Sequence, residues 1–117
     1  MKRTFEFNNN KIMEILTQGG ATLNNTAKMV DFKKGYQVSK QDCYIIDANK
    51  INEILQATQE ILQNLKKNEF CGLWVDNNKC YIDISIKINN KQKALEMGRK
   101  LKQISIFSWC KKDCIYL

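Results

Sequence analysis

Residues 70–88 read FCGLWVDNNKCYIDISIKI, and this stretch decides the fold. From Ile82 to Ile88 every second residue is isoleucine, and the residues between them are polar. That alternation is typical of a β-strand with one buried face. Asn77 and Asn78 both tolerate the positive φ angles that a two-residue type I′ turn requires. The stretch therefore predicts a β-hairpin whose isoleucine face belongs to the core.

A two-residue turn also fixes which residues face each other. The predicted pairs are Val75 with Cys80, Trp74 with Tyr81, Leu73 with Ile82 and Gly72 with Asp83. Trp74 and Tyr81 then lie side by side on the polar face of the hairpin. Aromatic side chains on an exposed sheet can stack on single-stranded bases. The alternative is an aromatic pair that packs beneath a loop or against the N-terminal segment.

Two amphipathic helices flank the hairpin. Upstream, Asp47 or Asn49 can cap a helix that runs to about Lys67, and downstream Asn89 or Asn90 can cap one that runs to Lys102. Apolar residues recur at helical spacing in both. In the first helix they are Ile51, Ile54, Leu55, Ile61, Leu62 and Leu65, and in the second Ala94, Leu95, Met97, Gly98 and Leu101.

The order of these elements predicts the fold class. It runs strand 35–46, helix 49–67, hairpin 70–88, helix 90–102 and strand 104–109. We expect a single α+β domain over residues 1–117, with an antiparallel sheet covered by two or three helices. The βαββαβ order is the ferredoxin-like one. An N-terminal extension precedes it, with an arm around Phe5 and Phe7 and a short helix over residues 11–18, and a strand over residues 114–117 follows it.

Composition restricts the class of protein further. The chain has 117 residues, of which 44% are hydrophobic and 26% are charged, so an ordered globular domain is expected. No apolar run approaches the roughly 20 residues of a membrane span. The first residues lack the apolar segment of a signal peptide. We therefore expect a cytoplasmic protein without a membrane partner.

The formal net charge is +7, which favours nucleic acid or an acidic protein as a partner. Around the second helix the basic residues are interrupted only by Glu96. They are Lys87, Lys91, Lys93, Arg99, Lys100 and Lys102. We take these six residues, with Trp74 and Tyr81, as candidate contacts for a partner. The alternative is an ordinary solvated helix face.

Catalytic and metal chemistry has little support in the sequence. The chain has no histidine, which removes the commonest general base and the commonest zinc ligand. Its cysteines are Cys43, Cys71, Cys80, Cys110 and Cys114, and no two form a C-x-x-C motif. Asp76 and Asp83 lie roughly 10 Å apart in the predicted hairpin, which is loose for a metal pair. We expect reduced structural thiols, no catalytic residues, no metal and no cofactor.

Several segments in the expected order carry a resemblance to a family. They are residues 35–39 (GYQVS), 72–76 (GLWVD), 81–85 (YIDIS), 94–95 (AL), 103–107 (QISIF) and 115–117 (IYL). Over residues 19–117 the chain resembles a group of small proteins carried by phages, plasmids and integrative elements of A/T-rich Gram-positive bacteria. Ser108 stands where that group usually has an aspartate.

The resemblance implies a function. Small accessory proteins of such elements are often anti-defence proteins, including anti-CRISPR inhibitors. We therefore expect a non-enzymatic protein that binds and inhibits a host defence nuclease complex, or holds its guide RNA, through a basic surface. The alternative is an accessory protein that binds DNA or RNA directly. A third hypothesis is an enzyme or binder that acts on a small molecule or a nucleotide signal.

Overall fold

The structure is a computed structural model, which describes residues 7–117. The elements are α1 (Asn9–Gln18), β1 (Gly20–Leu23), β2 (Tyr36–Asp47), α2 (Ile51–Asn64), β3 (Glu69–Asp76), β4 (Lys79–Ile88), α3 (Lys91–Lys100), β5 (Ser105–Ser108) and β6 (Asp113–Tyr116). The predicted arm lies outside the described residues, except for Phe7. The α+β class is confirmed.

Six strands form one antiparallel sheet in the order β1-β3-β4-β2-β5-β6. Its central part, β3-β4-β2-β5, has the strand order of a ferredoxin-like βαββαβ unit. In that unit β2 and β3 are parallel and β4 lies between them, because both pair antiparallel with β4. The N-terminal extension adds β1 at one edge of the sheet, and β6 forms the other edge.

The hairpin has the predicted register. Trp74 faces Tyr81, and Gly72 faces Asp83. Asn77 and Asn78 have φ angles of 50° and 61°, as a type I′ turn requires. The two-residue turn at Asn77 and Asn78 therefore determines the register, and with it which side chains lie on each face of the hairpin.

All three helices cover one face of the sheet. Cys80 and the four isoleucines of β4 point to this face, where Ile82 is 1% exposed. One core cluster lies under α1 and α2 and includes Ile54, Leu62 and Leu73. A smaller cluster, centred on Val38, Ala94 and Ile106, lies under α3. The opposite face of the sheet carries no helix from residues 7–117.

The predicted strand 35–46 corresponds to β2, one strand of 12 residues. Register shifts after Ser39 and Asp42 interrupt its alternation. The predicted cap of the following helix differs from the structure. Neither Asp47 nor Asn49 caps α2, because Lys50 is the N-cap residue and makes no side-chain capping bond.

The segment over residues 24–35, here called the strap, crosses the helix-free face. Phe32 packs edge-on against Phe70 of β3 and against Trp109, with ring centroids 5.7 and 5.3 Å apart. Asp31 forms an ion pair with Lys112 in the turn between β5 and β6. The strap thus joins opposite ends of a curled sheet, and the face between them is concave.

Candidate functional site

Helix α3 presents a basic surface, which we define by Lys91, Lys93, Arg99, Lys100 and Lys102. Asn90 caps the helix by accepting a hydrogen bond from the Lys93 amide at 2.9 Å. Ala94 and Gly98 are buried against the sheet. All five cationic side chains are therefore directed towards solvent and are exposed.

These five cations have no carboxylate partner among residues 7–117. The ion pairs formed there involve other lysines, namely Lys11, Lys40, Lys79 and Lys112. Glu96, the acid within the helix, belongs to none of them. The basic surface therefore has its full positive charge available to an outside partner.

Lys87 does not belong to this surface. It lies on the helix-free face, with its ammonium group 4.1 Å from the centre of the Phe32 ring. A cation at this distance is attracted to the face of the ring. The sequence placed Lys87 with the α3 residues because it precedes the helix, but the sheet separates them.

Next to the end of α3 lies a patch of exposed apolar side chains, here called the apolar edge. It consists of Ile104 (79% exposed) and Leu117 (37% exposed), whereas Tyr116 (76% exposed) alternates with Ile115 of the core cluster under α3 and so points to the opposite face of the sheet. The Leu117 amide donates to the Ile104 carbonyl at 2.9 Å, which holds the patch together. Gly98 of α3 lies against Leu117, so the apolar edge adjoins the basic surface.

The concave face contains a second candidate site, here called the aromatic groove. It comprises two adjoining cavities of about 590 and 230 Å³, which share Leu73, Trp74 and Phe107. Trp74 is 53% exposed and Tyr81 is 38% exposed, so no loop of residues 7–117 covers the pair. The sequence correctly predicted that these two residues face each other.

Asp83 lies at the base of the groove, opposite Gly72. Its carboxyl group occupies the space that a Cβ atom on Gly72 would take. Burial, together with the nearby Asp42 carboxylate, raises the pKa of Asp83 to about 7. Hydrogen bonds to the Asp83 carboxyl from Ser39 and from the backbone of Gly72 act in the opposite direction.

Asp42 is the cross-strand partner of Asp83. The Ser39 hydroxyl lies 3.2 Å from the Asp42 carboxylate, so both acids compete for one hydroxyl proton. Like charges directly opposite each other destabilise a sheet. No lysine or arginine of residues 7–117 forms an ion pair with either carboxylate. The groove is therefore locally acidic in a basic protein.

A buried network of hydrogen bonds lies on the concave face beside the strap residue Phe32. The Gln37 amide nitrogen donates to the Ser85 hydroxyl at 2.8 Å, and the Trp109 indole nitrogen donates to the Gln37 amide oxygen at 3.0 Å. Trp109 also packs edge-on against Phe107. These contacts hold Phe107, a wall of the groove, in place.

The cysteines are free thiols in different environments. Cys71 and Cys80 are buried, Cys110 is exposed, and Cys43 and Cys114 are partly exposed. Burial raises the pKa of Cys71 and Cys80, which makes both poor nucleophiles. Within residues 7–117 no three Cys, Asp or Glu side chains form a group that could hold a metal ion.

Sequence reasoning missed Asp83, Asp42 and Phe107 as parts of one site. The pairing of Gly72 with Asp83 was available from the turn, and a glycine opposite an acid is a sign of space reserved for that acid. The bulges of β2, which align Asp42 with Asp83, have no clear sequence signature.

Comparison of the chain with protein-family models, with curated proteins and with solved structures finds no match. No helix within residues 7–117 is both long enough and apolar enough to cross a membrane.

Proposed function

We propose that the protein is a non-enzymatic binding protein of a mobile element, which inhibits a host defence complex by covering an acidic surface on it. The resemblance described above implies the class of target, with a CRISPR effector complex as the first candidate. The contact surface is the basic surface of α3 together with the apolar edge.

The observation that carries this proposal is the adjacency of these two surfaces. Protein interfaces combine an apolar centre with a polar or charged rim, and a few anchor side chains contribute most of the binding energy. Ile104 and Leu117 are exposed apolar side chains at the end of α3, whose cations form no ion pair within residues 7–117. Nucleic acid would use the cations but would gain little from the isoleucine.

Direct binding of DNA or RNA is the second candidate. It is favoured by the five cations of the basic surface, which form no ion pair within residues 7–117, since each phosphate contact releases condensed counterions. In that case affinity depends steeply on salt and does not depend on the apolar edge. The two candidates therefore predict different effects of the same substitutions.

The first test reverses the charge of Lys93, Arg99 and Lys100 to glutamate. Their side chains project away from the core, so circular dichroism and the melting temperature are expected to change little. Inhibition of purified CRISPR effector complexes and binding to them should fall at least tenfold. A control variant with Lys28, Lys50 and Lys67 changed to glutamate makes the same charge change elsewhere. If both variants lose binding equally, only net charge matters and the assigned surface is wrong.

The second test distinguishes a protein partner from nucleic acid. The change Ile104→Ser leaves every charge in place. It should weaken binding to the protein complex at least tenfold and leave binding to random single-stranded RNA and double-stranded DNA unchanged. If the parent binds random nucleic acid tightly and with a steep salt dependence, but no effector complex, the second candidate replaces the first.

A further inference from the structure

We propose that the aromatic groove binds a guanidinium group, which stacks on Trp74 and donates N–H hydrogen bonds to Asp83 and Asp42. The groove lies on the face of the sheet opposite α3, so this site is separate from the proposed inhibitory surface. The ligand is a small guanidinium compound or an arginine side chain, which share this chemistry.

The first argument is charge. Asp42 and Asp83 face each other across two strands, and no cation of residues 7–117 pairs with either. A cation between them would relieve the repulsion and would add charge-assisted hydrogen bonds to both carboxylates. An anionic ligand such as a phosphate would be repelled by the same pair. The ammonium group of Lys87, on the same face, lies over the Phe32 ring.

The second argument is shape. The groove is bounded by the aromatic side chains of Trp74, Tyr81 and Phe107, with the carboxyl of Asp83 at its base. Asp42, Asp83 and Tyr81 line the smaller cavity, of about 230 Å³, which suits a group as small as a guanidinium; the larger cavity, of about 590 Å³, adjoins it at Trp74 and could take the rest of the ligand. Because Gly72 has no side chain, the Asp83 carboxyl can lie over the backbone of β3 at the base of the groove.

The third argument selects guanidinium among organic cations. It is planar, carries N–H donors in a fork that matches a carboxylate, and is weakly hydrated, so it stacks on aromatic rings. An ammonium group is compact and strongly hydrated, and it cannot bridge two carboxylates with the same flat geometry. The aromatic and acidic side chains of the groove therefore fit a guanidinium group better than an ammonium group.

The direct test uses ethylguanidinium and ethylammonium, which have equal charge and equal alkyl chains, in titrations of the full chain followed by NMR. Ethylguanidinium should bind with a dissociation constant of about 1 mM or below, and at least tenfold more tightly than ethylammonium. A capped Gly-Arg-Gly peptide, compared with Gly-Lys-Gly, tests the arginine side chain as the source. Tight binding of the arginine peptide assigns a protein partner, and preference for the free compound assigns a small molecule.

The variants locate the ligand. Asp83→Asn keeps the shape of the side chain and removes the charge, and Trp74→Ala removes the stacking surface. Each should weaken binding of ethylguanidinium at least tenfold. Asp76→Asn, which removes an exposed carboxylate of β3 outside the groove, should leave it unchanged. Equal binding by the parent and the Asp83 variant would overturn the proposal.

A pH series adds an independent readout. The ionised form of Asp83 accepts the ligand, so affinity should be about tenfold higher at pH 8 than at pH 6, given the pKa of about 7. The other ionisable groups around this carboxyl are Asp42 on β2, Tyr81 on β4, Cys114 on β6 and the thiols of Cys43 and Cys71. The Asp83→Asn variant should lack the pH effect, and retention of the effect would overturn the role of Asp83.

Two further outcomes would overturn the assignment of the ligand. One is equal affinity for ethylguanidinium and ethylammonium. The other is tight binding of single-stranded RNA that Trp74→Ala abolishes, with no binding of guanidinium. Loss of the α3 surface by charge reversal should leave guanidinium binding intact, so this proposal and the proposed function can fail separately.

Discussion

At the scale of single residues, the pair Gly72 and Asp83 shows how one missing side chain sets the character of a surface. A Cβ on Gly72 would meet the Asp83 carboxyl, so Gly72→Ala should destabilise the parent protein by about 1–3 kcal/mol through overpacking. In an Asp83→Ala background the same change should be neutral or slightly stabilising, since alanine restricts the unfolded chain more than glycine does.

Urea titration of the four proteins gives the coupling energy of this pair. Equal effects of Gly72→Ala in both backgrounds would mean that the carboxyl does not rest on the glycine. Gly72 is suited to this comparison because the structure gives it no positive φ angle, so the alanine meets no backbone strain.

Asp83 also predicts how stability depends on pH. Its pKa is raised from about 3.8 to about 7 on folding, so between these values the folded state holds a proton that the unfolded state has released. Stability therefore falls as pH rises from about 4 to about 7, and is constant above that as far as this group is concerned. Asp83→Asn should remove the fall and be more stable than the parent at pH 8, by ~2 kcal/mol.

Glu69 provides the control, because it is shifted in the opposite direction. The Lys40 ammonium, 2.6 Å away, and the Lys66 amide hold the pKa of this buried carboxyl below its usual value. Glu69→Gln should lower stability at neutral pH by ~1 kcal/mol and have less effect as pH falls below about 4. Denaturant titrations of both variants at pH 4, 6 and 8 check the two signs together.

At the scale of elements, α3 is positioned by a close approach to the C-terminal strands. A Cβ on Gly98 would meet Leu117 and Ile106 within 3 Å. Gly98→Leu should therefore push the helix away from β5 and β6 and cost about 1–3 kcal/mol, despite the better helix propensity of leucine. Because the apolar edge contains Leu117, this variant should also weaken binding to the protein partner.

The matched control is Gln92→Leu, which places the same side chain on the exposed side of α3. It should leave the free energy of unfolding within about 0.5 kcal/mol of the parent. Comparable losses for both variants would show that leucine is harmful anywhere on this helix, and that the contact at Gly98 is not the cause.

The elements themselves were largely predictable, and the reasons are local. A turn of two asparagines, strict alternation in β4 and helical spacing in α2 and α3 are short-range signals, and each led to the correct element. The bulges of β2 and the path of the strap depend on partners far along the chain, such as Asp31 with Lys112. The basic surface was predicted from the helix pattern, whereas the aromatic groove needed the curvature of the whole sheet.

At the scale of the whole molecule, the two core clusters share strands and should unfold together. Ile82 belongs to the cluster under α1 and α2, and Ile106 to the one under α3, but β4 contributes isoleucines to both. A single domain over residues 7–117 is then expected to unfold in one cooperative transition. Ile82→Val and Ile106→Val should each cost about 0.5–1.5 kcal/mol and lower the same midpoint, with unchanged dependence on urea.

Two optical signals can follow this transition in different parts of the molecule. Trp109 fluorescence in a Trp74→Phe background reports on the strap and β5, and far-ultraviolet circular dichroism reports mainly on the three helices. The two curves should coincide in the parent and in both valine variants, because no boundary in the sheet separates the clusters. If Ile106→Val shifts only the fluorescence curve, then β5, β6 and α3 form a separate folding unit. In that case the aromatic groove and the basic surface would differ in stability.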